Sequence, residues 1–167
     1  MKQIRKSVFE TNSSSMHSLV IQNEDIFDSS DSSSMYEDPT ETIKSNLRKN
    51  GKCRFWGEEW YFGRHPFRIL DTFEEKFKYA YANEYKENDL LPIIQKYVPE
   101  CIGIEWPKHY GTDDQRLPSW LNKLNVSLEE FLTNRRYIVI CDGDEYYIWE
   151  DMKESGIIKT SNFKEMR

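Results

Sequence analysis

An aromatic stripe between residues 71 and 85 constrains the fold more than any other feature of this sequence. Apolar side chains recur there at helical spacing, at Phe73, Phe77, Ala80, Tyr81 and Tyr85. Residues three and four positions apart share one face of an α-helix, so the spacing predicts an amphipathic helix that opens at Asp71-Thr72. Aromatic residues make up 14% of the chain. We therefore expect a core built from Phe, Tyr and Trp.

Further helix and strand signals indicate an α+β order. Helices are predicted after Asp38-Pro39-Thr40-Glu41, over 89–98, after the capping box Ser127-Leu128-Glu129-Glu130 and over 150–155. Strands are predicted over 3–9, 18–22, 101–106, 137–141 and 145–149. Residues 52–63 are predicted to form a β-hairpin or a pair of edge strands, and residues 107–118 are predicted to form a loop. Because strands and helices do not alternate strictly, we expect a single α+β domain over residues 1–167, with an antiparallel or mixed sheet and helices packed on one side.

Residues 24–38 have a different composition. Six carboxylates alternate there with five serines, and the segment contains no basic residue. So little apolar surface cannot offset the entropy lost on ordering, and this stretch is expected to be a mobile loop.

Charge and cysteine usage bound the class of protein. With 29 acidic and 23 basic side chains the formal net charge is −6, which argues against direct binding to nucleic acid, because phosphates would be repelled. Cys53, Cys101 and Cys141 are odd in number and far apart, as expected for reduced, mostly buried thiols of a cytoplasmic protein. The sequence has neither a signal-peptide pattern nor a membrane-spanning stretch, so secretion and membrane insertion are not expected.

The first candidate site is the block Glu10-Thr11-Asn12-Ser13-Ser14-Ser15-Met16-His17-Ser18. His17 titrates near neutral pH and could act with Ser18 in catalysis, while Asn12, Ser13, Ser14 and Ser15 could donate hydrogen bonds to a phosphate or a ribose. The structural alternative is a connection whose Ser and Asn side chains satisfy their own backbone.

The second candidate comprises Asp142, Asp144 and Glu145, whose carboxylates could hold Mg²⁺ or Ca²⁺. Asp142-Gly143-Asp144 is also typical of a tight hairpin turn, and we favour the turn. The remaining histidines, His65 and His109, are isolated, so the sequence predicts no metal site and no cofactor.

The third candidate is the aromatic block 55–65. Trp56, Trp60 and Tyr61 could form a stacking platform, but Glu58 and Glu59 lie within it and would repel a polyanion. Core packing is the default interpretation. A protein-binding patch formed by these five residues is the functional alternative, because Trp and Tyr beside charged residues are typical of binding hot spots.

The opening Arg5-Lys6-Ser7-Val8-Phe9-Glu10-Thr11-Asn12-Ser13-Ser14-Ser15-Met16-His17-Ser18-Leu19 resembles the start of a group of uncharacterised small proteins from phages and low-GC bacteria. The later residues Asp142-Gly143-Asp144-Glu145-Tyr146, with Trp149, Met152 and Gly156-Ile157-Ile158, are similar to their ends. The resemblance covers about a fifth of the chain. It implies a phage or mobile-element origin, with the serine–histidine loop as the shared feature, and it transfers no mechanism.

Two classes of function are compatible with these residues. In the first, the chain is a small acidic phage-type protein that binds and inhibits or modulates a host protein, for example a defence nuclease or another nucleic-acid enzyme. In the second, it is a nucleotide-binding protein or enzyme that uses the Asn12–Ser18 loop. We prefer the first, because the sequence lacks a complete catalytic set. Exposed edge strands would permit a homodimer.

Overall fold

The computed structural model describes residues 17–23, 36–55, 59–62, 68–112, 117–142 and 163–165. The strands in these ranges are β1 (His17–Asn23), β2 (Lys52–Cys53), β3 (Glu59–Phe62), β4 (Arg68–Leu70), β5 (Gly103–Ile104), β6 (His109–Thr112), β7 (Tyr137–Asp142) and β8 (Phe163–Glu165). The helices are α1 (Thr40–Asn46), α2 (Phe73–Ala82), α3 (Glu87–Tyr97), α4 (Leu117–Leu124) and α5 (Leu128–Thr133). The predicted mixed α+β fold is confirmed.

The largest sheet is antiparallel and has the strand order β4-β7-β1-β8. Strand β7 pairs with β1 from His17↔Asp142 to Gln22↔Tyr137, and with β4 from Arg68↔Cys141 to Leu70↔Val139. The predicted strands 18–22 and 137–141 are confirmed, whereas β4 and β8 were not predicted. The predicted strands 3–9 and 145–149 and the predicted helix 150–155 lie outside the described residues.

Two smaller sheets are each a parallel pair of strands. Strand β2 pairs with β5, and β3 pairs with β6. The predicted hairpin over 52–63 is therefore wrong, and the alternative of two edge strands is correct. A parallel pair needs a long crossover between its strands, and the crossovers here include α2 and α3.

Helix α2 starts where its sequence predicts but ends at Ala82, so Tyr85 of the predicted stripe lies beyond the helix. The Thr72 hydroxyl accepts a hydrogen bond from the Glu75 amide at 3.3 Å, which satisfies one amide of the first turn. Phe73 and Phe77 on the stripe are completely buried. Their rings lie 5.8 Å apart, and Phe55 is 4.6 Å from Phe77, so the core is aromatic as expected.

The segment 107–118 is not a loop, because it contains β6 and the start of α4. Pro118 is the second residue of α4, where the amide that proline lacks would have no partner within the helix. Gly111 lies within β6 as the register partner of Tyr61. Helix α5 starts as predicted, since the Ser127 hydroxyl accepts from the Glu130 amide at 3.1 Å.

The carboxyl end of the predicted mobile loop 24–38 is anchored. Tyr36 forms an isolated bridge with Asn134, and the Glu37 amide donates to the Thr133 carbonyl at 2.8 Å. Asp38 Oδ1 accepts from the Thr40 amide at 2.9 Å, at the start of α1. Residues 24–35 lie outside the described residues. None of the helices in the described ranges is both long and apolar enough to cross a membrane.

Candidate protein-binding site

The residues of the serine–histidine candidate are divided by the structure. His17 and Ser18 are the first residues of β1, so neither belongs to a loop, and Asn12, Ser13, Ser14 and Ser15 lie outside the described residues. The register places His17 opposite Asp142 and Ser18 opposite Cys141. His17 of the first candidate and Asp142 of the second are therefore neighbours across the sheet. The chemical roles of both residues stay predictions.

The residues of the aromatic block are likewise divided. Glu59, Trp60 and Tyr61 lie in β3, while Trp56 and Glu58 lie outside the described residues. Because β3 pairs with β6, the register partner of Trp60 is Tyr110. The block therefore adjoins residues that sequence reasoning did not connect with it.

Tyr110 belongs to a group that we call the Tyr81 cluster, formed by Tyr81, Lys86, Glu87, Trp106 and Tyr110. The Tyr81 ring stacks on the Trp106 indole, with centroids 3.9 Å apart and planes 8° apart. The Tyr110 ring packs against Tyr81 at 4.4 Å with a tilt of 52°. Such contacts hold aromatic rings in fixed relative positions.

The cluster connects the core to the surface. Phe77 lies 6.2 Å from Trp106 and nearly parallel to it, so a row of rings continues from the buried Phe55 to Tyr110. Tyr81 is buried, but Tyr110 has a relative exposure of 46%. The row therefore ends in the half-exposed ring of Tyr110, which packs on the buried ring of Tyr81.

Glu87 fixes the position of Trp106. Its Oε1 accepts from the Ile104 amide at 3.0 Å, and its Oε2 accepts from the Trp106 indole Nε1 at 3.3 Å. Glu87 is the first residue of α3, where the helix dipole favours a negative charge. One carboxylate thus joins the start of α3 to β5 and to the aromatic cluster.

Lys86 adds a positive charge to the cluster. Its Nζ lies 5.4 Å from the centroid of Tyr81 and 5.5 Å from that of Tyr110, within the range of a cation–π interaction. Burial, followed by the hydrogen bond and charge interaction with Tyr110, raises the pKa of Tyr81 to about 12. Tyr81 therefore stays uncharged at neutral pH.

Sequence reasoning missed this cluster because its members come from three segments. The sequence pattern places Tyr81 in the core stripe, Trp106 at the end of a strand and Tyr110 in a loop. Their proximity depends on the parallel pairing of β3 with β6 and on α2, which packs against both strands. The signal that was available is the aromatic character of all three residues.

Lys76 is another chemically unusual group among the described residues. It is completely buried, and its Nζ donates to the carbonyls of Asn134 and Tyr137 at 3.0 and 3.2 Å. Burial lowers its pKa to about 7. A nucleophilic lysine needs access to a substrate, so this one is structural: it satisfies carbonyls where α5 ends and β7 begins.

In the described part of the chain, no three His, Cys, Asp or Glu side chains are arranged to hold a metal ion. Comparison of the sequence and the fold with protein-family models, curated proteins and solved structures finds no match.

Proposed function

We propose that this chain is a phage-type interaction protein that binds a basic surface of a host protein through the Tyr81 cluster. The observation that supports the proposal is the half-exposed ring of Tyr110, held on the buried Tyr81. A ring that is already fixed loses little conformational entropy when a partner covers it, which is how aromatic anchors become binding hot spots.

The contact surface extends along β3. Glu59, Trp60 and Tyr61, predicted from the sequence as binding residues, occupy register positions next to His109, Tyr110 and Gly111 of β6. The three described residues of the predicted patch thus share a two-stranded sheet with Tyr110 of the Tyr81 cluster.

Within the Tyr81 cluster the charges of Lys86 and Glu87 balance, so attraction to a basic partner comes from the rest of the chain. The net charge of −6 attracts a positively charged surface and speeds its association at low ionic strength. A host enzyme that binds nucleic acid presents such a surface. Occupation of its basic groove would block the nucleic acid, so inhibition is the proposed consequence.

The test uses tagged full-length protein, Tyr110→Ala and the matched control Tyr36→Ala. Tyr36 is also an exposed tyrosine, at 55%, but it bridges Asn134 rather than joining the Tyr81 cluster. We expect the wild type and Tyr36→Ala to retain one bacterial protein in stoichiometric amount. Tyr110→Ala should weaken the affinity about 30-fold, as loss of a hot-spot ring worth about 2 kcal/mol predicts.

The affinity of the purified pair should also fall as salt concentration rises, because opposite charges are screened. Circular dichroism should show that Tyr110→Ala remains folded. Equal binding by all three proteins, or a partner with an acidic surface, would refute the proposal.

The second candidate function is nucleotide binding at the start of β1, and one observation favours it. The register brings His17 opposite Asp142, and directly opposed residues of an antiparallel pair are close neighbours. A carboxylate in that position could orient an imidazole for general acid–base chemistry.

A thermal-shift screen with nucleoside triphosphates tests this second function. A nucleotide at 100 times its dissociation constant should stabilise the fold by about 2.7 kcal/mol. The stabilisation should be lost in His17→Ala and reduced in Asp142→Asn. No shift with any nucleotide would remove this candidate.

A further inference from the structure

A positive charge already lies against the two tyrosine rings of the Tyr81 cluster, and it belongs to this chain. The Nζ atom of Lys86 is 5.4 Å from the centroid of Tyr81 and 5.5 Å from that of Tyr110. The two rings are tilted by 52° with their centroids 4.4 Å apart, so one ammonium interacts with both. The position of Lys86 therefore indicates which kind of group this pair of rings attracts, namely a cation.

The rings that attract this cation are fixed by their neighbours. Tyr81 is buried and stacks on Trp106 with centroids 3.9 Å apart, and the Trp106 indole Nε1 donates to Glu87 at 3.3 Å. Tyr110 lies in β6, which pairs with β3 along its whole length. A cation that binds there meets rings that are already positioned, so the protein loses little conformational entropy.

The ammonium of Lys86 can leave the rings without movement of the main chain. The Lys86 amide donates to Asp89 Oδ2 at 2.8 Å, which fixes the backbone where α3 begins. Lys86 itself is exposed, and the ion pairs of the described residues do not involve it. A cation–π interaction at an exposed site is weak, and a lysine ammonium is strongly hydrated, so water competes well for it.

We propose that the rings of Tyr81 and Tyr110 are a binding site for an arginine side chain of the partner, and that Lys86 occupies this site until the partner displaces it. This inference rests on the proposed function and deepens it by naming the group that the partner inserts. A guanidinium is planar, stacks on aromatic faces and is less strongly hydrated than an ammonium, so it is the better ligand for these rings. Once the Lys86 ammonium has moved into solvent, the carboxylate of Glu87 is no longer balanced within the cluster and favours the incoming positive charge.

Lys86 is then an internal competitor for the site. An arginine of the partner gains from the exchange because a guanidinium replaces an ammonium on the rings. A lysine of the partner gains little because one ammonium replaces another. The site should therefore select arginine over lysine, and removal of Lys86 should strengthen binding, which is the opposite of what is expected for a residue that contributes to the contact surface.

The experiment uses the full-length protein and two peptide probes, hexaarginine and hexalysine. Affinities are measured by isothermal titration calorimetry at about 0.15 M salt, where the long-range attraction between the acidic protein and either peptide is screened. The wild type should bind hexaarginine more tightly than hexalysine.

NMR spectroscopy detects the displacement of Lys86 directly. Ring currents of Tyr81 and Tyr110 should shift the Hε protons of Lys86 upfield in the free protein, and this signal is identified by its absence from the spectrum of Lys86→Ala. With saturating hexaarginine the signal should move to the position typical of a lysine in water.

Two lysine variants separate the exchange from a change in net charge. Lys86→Ala and the control Lys44→Ala each remove one exposed lysine, and Lys44 lies in α1 beside Glu41, outside the Tyr81 cluster. Lys86→Ala should bind hexaarginine about threefold more tightly than Lys44→Ala does, because the competing cation–π interaction is absent. Tyr110→Ala should lose the preference for arginine over lysine.

Three outcomes would overturn this inference: a Lys86 signal that stays shifted in the complex, equal affinities of the two lysine variants, or an arginine preference that survives Tyr110→Ala. Each of them is compatible with capture of a host protein through the half-exposed ring of Tyr110. Conversely, if the peptides behave as expected and no host protein is retained, the arginine site stands and the proposed function fails.

Discussion

Replacement of Lys76 with methionine should change how the stability of this protein depends on pH. Lys76 is completely buried, and its ammonium contacts the carbonyls of Asn134 and Tyr137 and lies 5.6 Å from the centroid of the Phe131 ring. Methionine is similarly long and unbranched but cannot take up a proton. The comparison therefore isolates the effect of the buried amine.

The magnitude follows from the pKa of Lys76 in the two states. Burial lowers this pKa from 10.5 to about 7 in the folded protein, against the opposing effect of Glu37 and Asp71. Between these values the unfolded chain binds more protons, so wild-type stability rises with pH by up to about 1.4 kcal/mol per pH unit. Below pH 7 the folded lysine is itself protonated, so the slope flattens there. From pH 6 to pH 9 the free energy of unfolding of the wild type should therefore rise by about 3 kcal/mol relative to that of Lys76→Met.

Urea unfolding followed by tryptophan fluorescence at each pH measures this difference. The upper limit of pH 9 avoids the range in which tyrosines ionise, and tyrosines with raised pKa such as Tyr97 are common to both proteins. The control Lys44→Met removes an exposed lysine from α1 and should show no such slope. If the wild type and Lys76→Met differ by a constant amount from pH 6 to pH 9, the buried amine does not titrate in this range and the reasoning is wrong.

Three further substitutions test separate features by urea unfolding. Ser127→Ala should cost about 1 kcal/mol because the Glu130 amide loses its acceptor, whereas Ser119→Ala on the exposed surface of α4 should cost nothing; equal effects would contradict the capping role. Gly51→Ala should cost about 1 kcal/mol or more, since φ is 78° and the added Cβ would lie 3.0 Å from Cγ1 of Ile102; an unchanged midpoint would count against this. Glu87→Ala should lower the free energy of unfolding by about 2 kcal/mol and shift tryptophan emission. Glu87→Gln should lower it less, because glutamine keeps one acceptor for the Ile104 amide; equal losses would argue against that bond.

The starts of α1, α2 and α5 could be predicted because their chemistry is local. Thr72 and Ser127 each accept a hydrogen bond from an amide three residues later, and Asp38 accepts from Thr40 at the start of α1. All the atoms involved lie within one helical turn, so the order of residues is sufficient information. The stripe of α2 could be predicted for the same reason, since its period is a property of one helix.

The parallel pairs could not be predicted in this way. Strand β2 meets β5 across the crossover that contains α2 and α3, and each of these strands has only two residues. Such short strands have no alternating pattern, and their partners are determined by how the helices pack. The start of α4 could not be predicted either, because a proline such as Pro118 is compatible with both a loop and the first turn of a helix.

The position of the candidate site depends on where burial ends along one row of rings. Phe55, Phe77 and Tyr81 are buried and Tyr110 is half exposed, although all are aromatic and therefore equivalent in a pattern of apolar residues. Exposure of Tyr110 follows from its place in β6, which belongs to a two-stranded sheet with β3. This makes the ring, rather than its hydroxyl, the feature that a partner would cover.

Tyr110→Phe should therefore retain most of the affinity that Tyr110→Ala loses. The pKa of Tyr81 should fall in both variants, because each removes the hydrogen bond between the two phenols. Equal loss of affinity in the two variants would assign the role to the hydroxyl and would contradict an aromatic anchor.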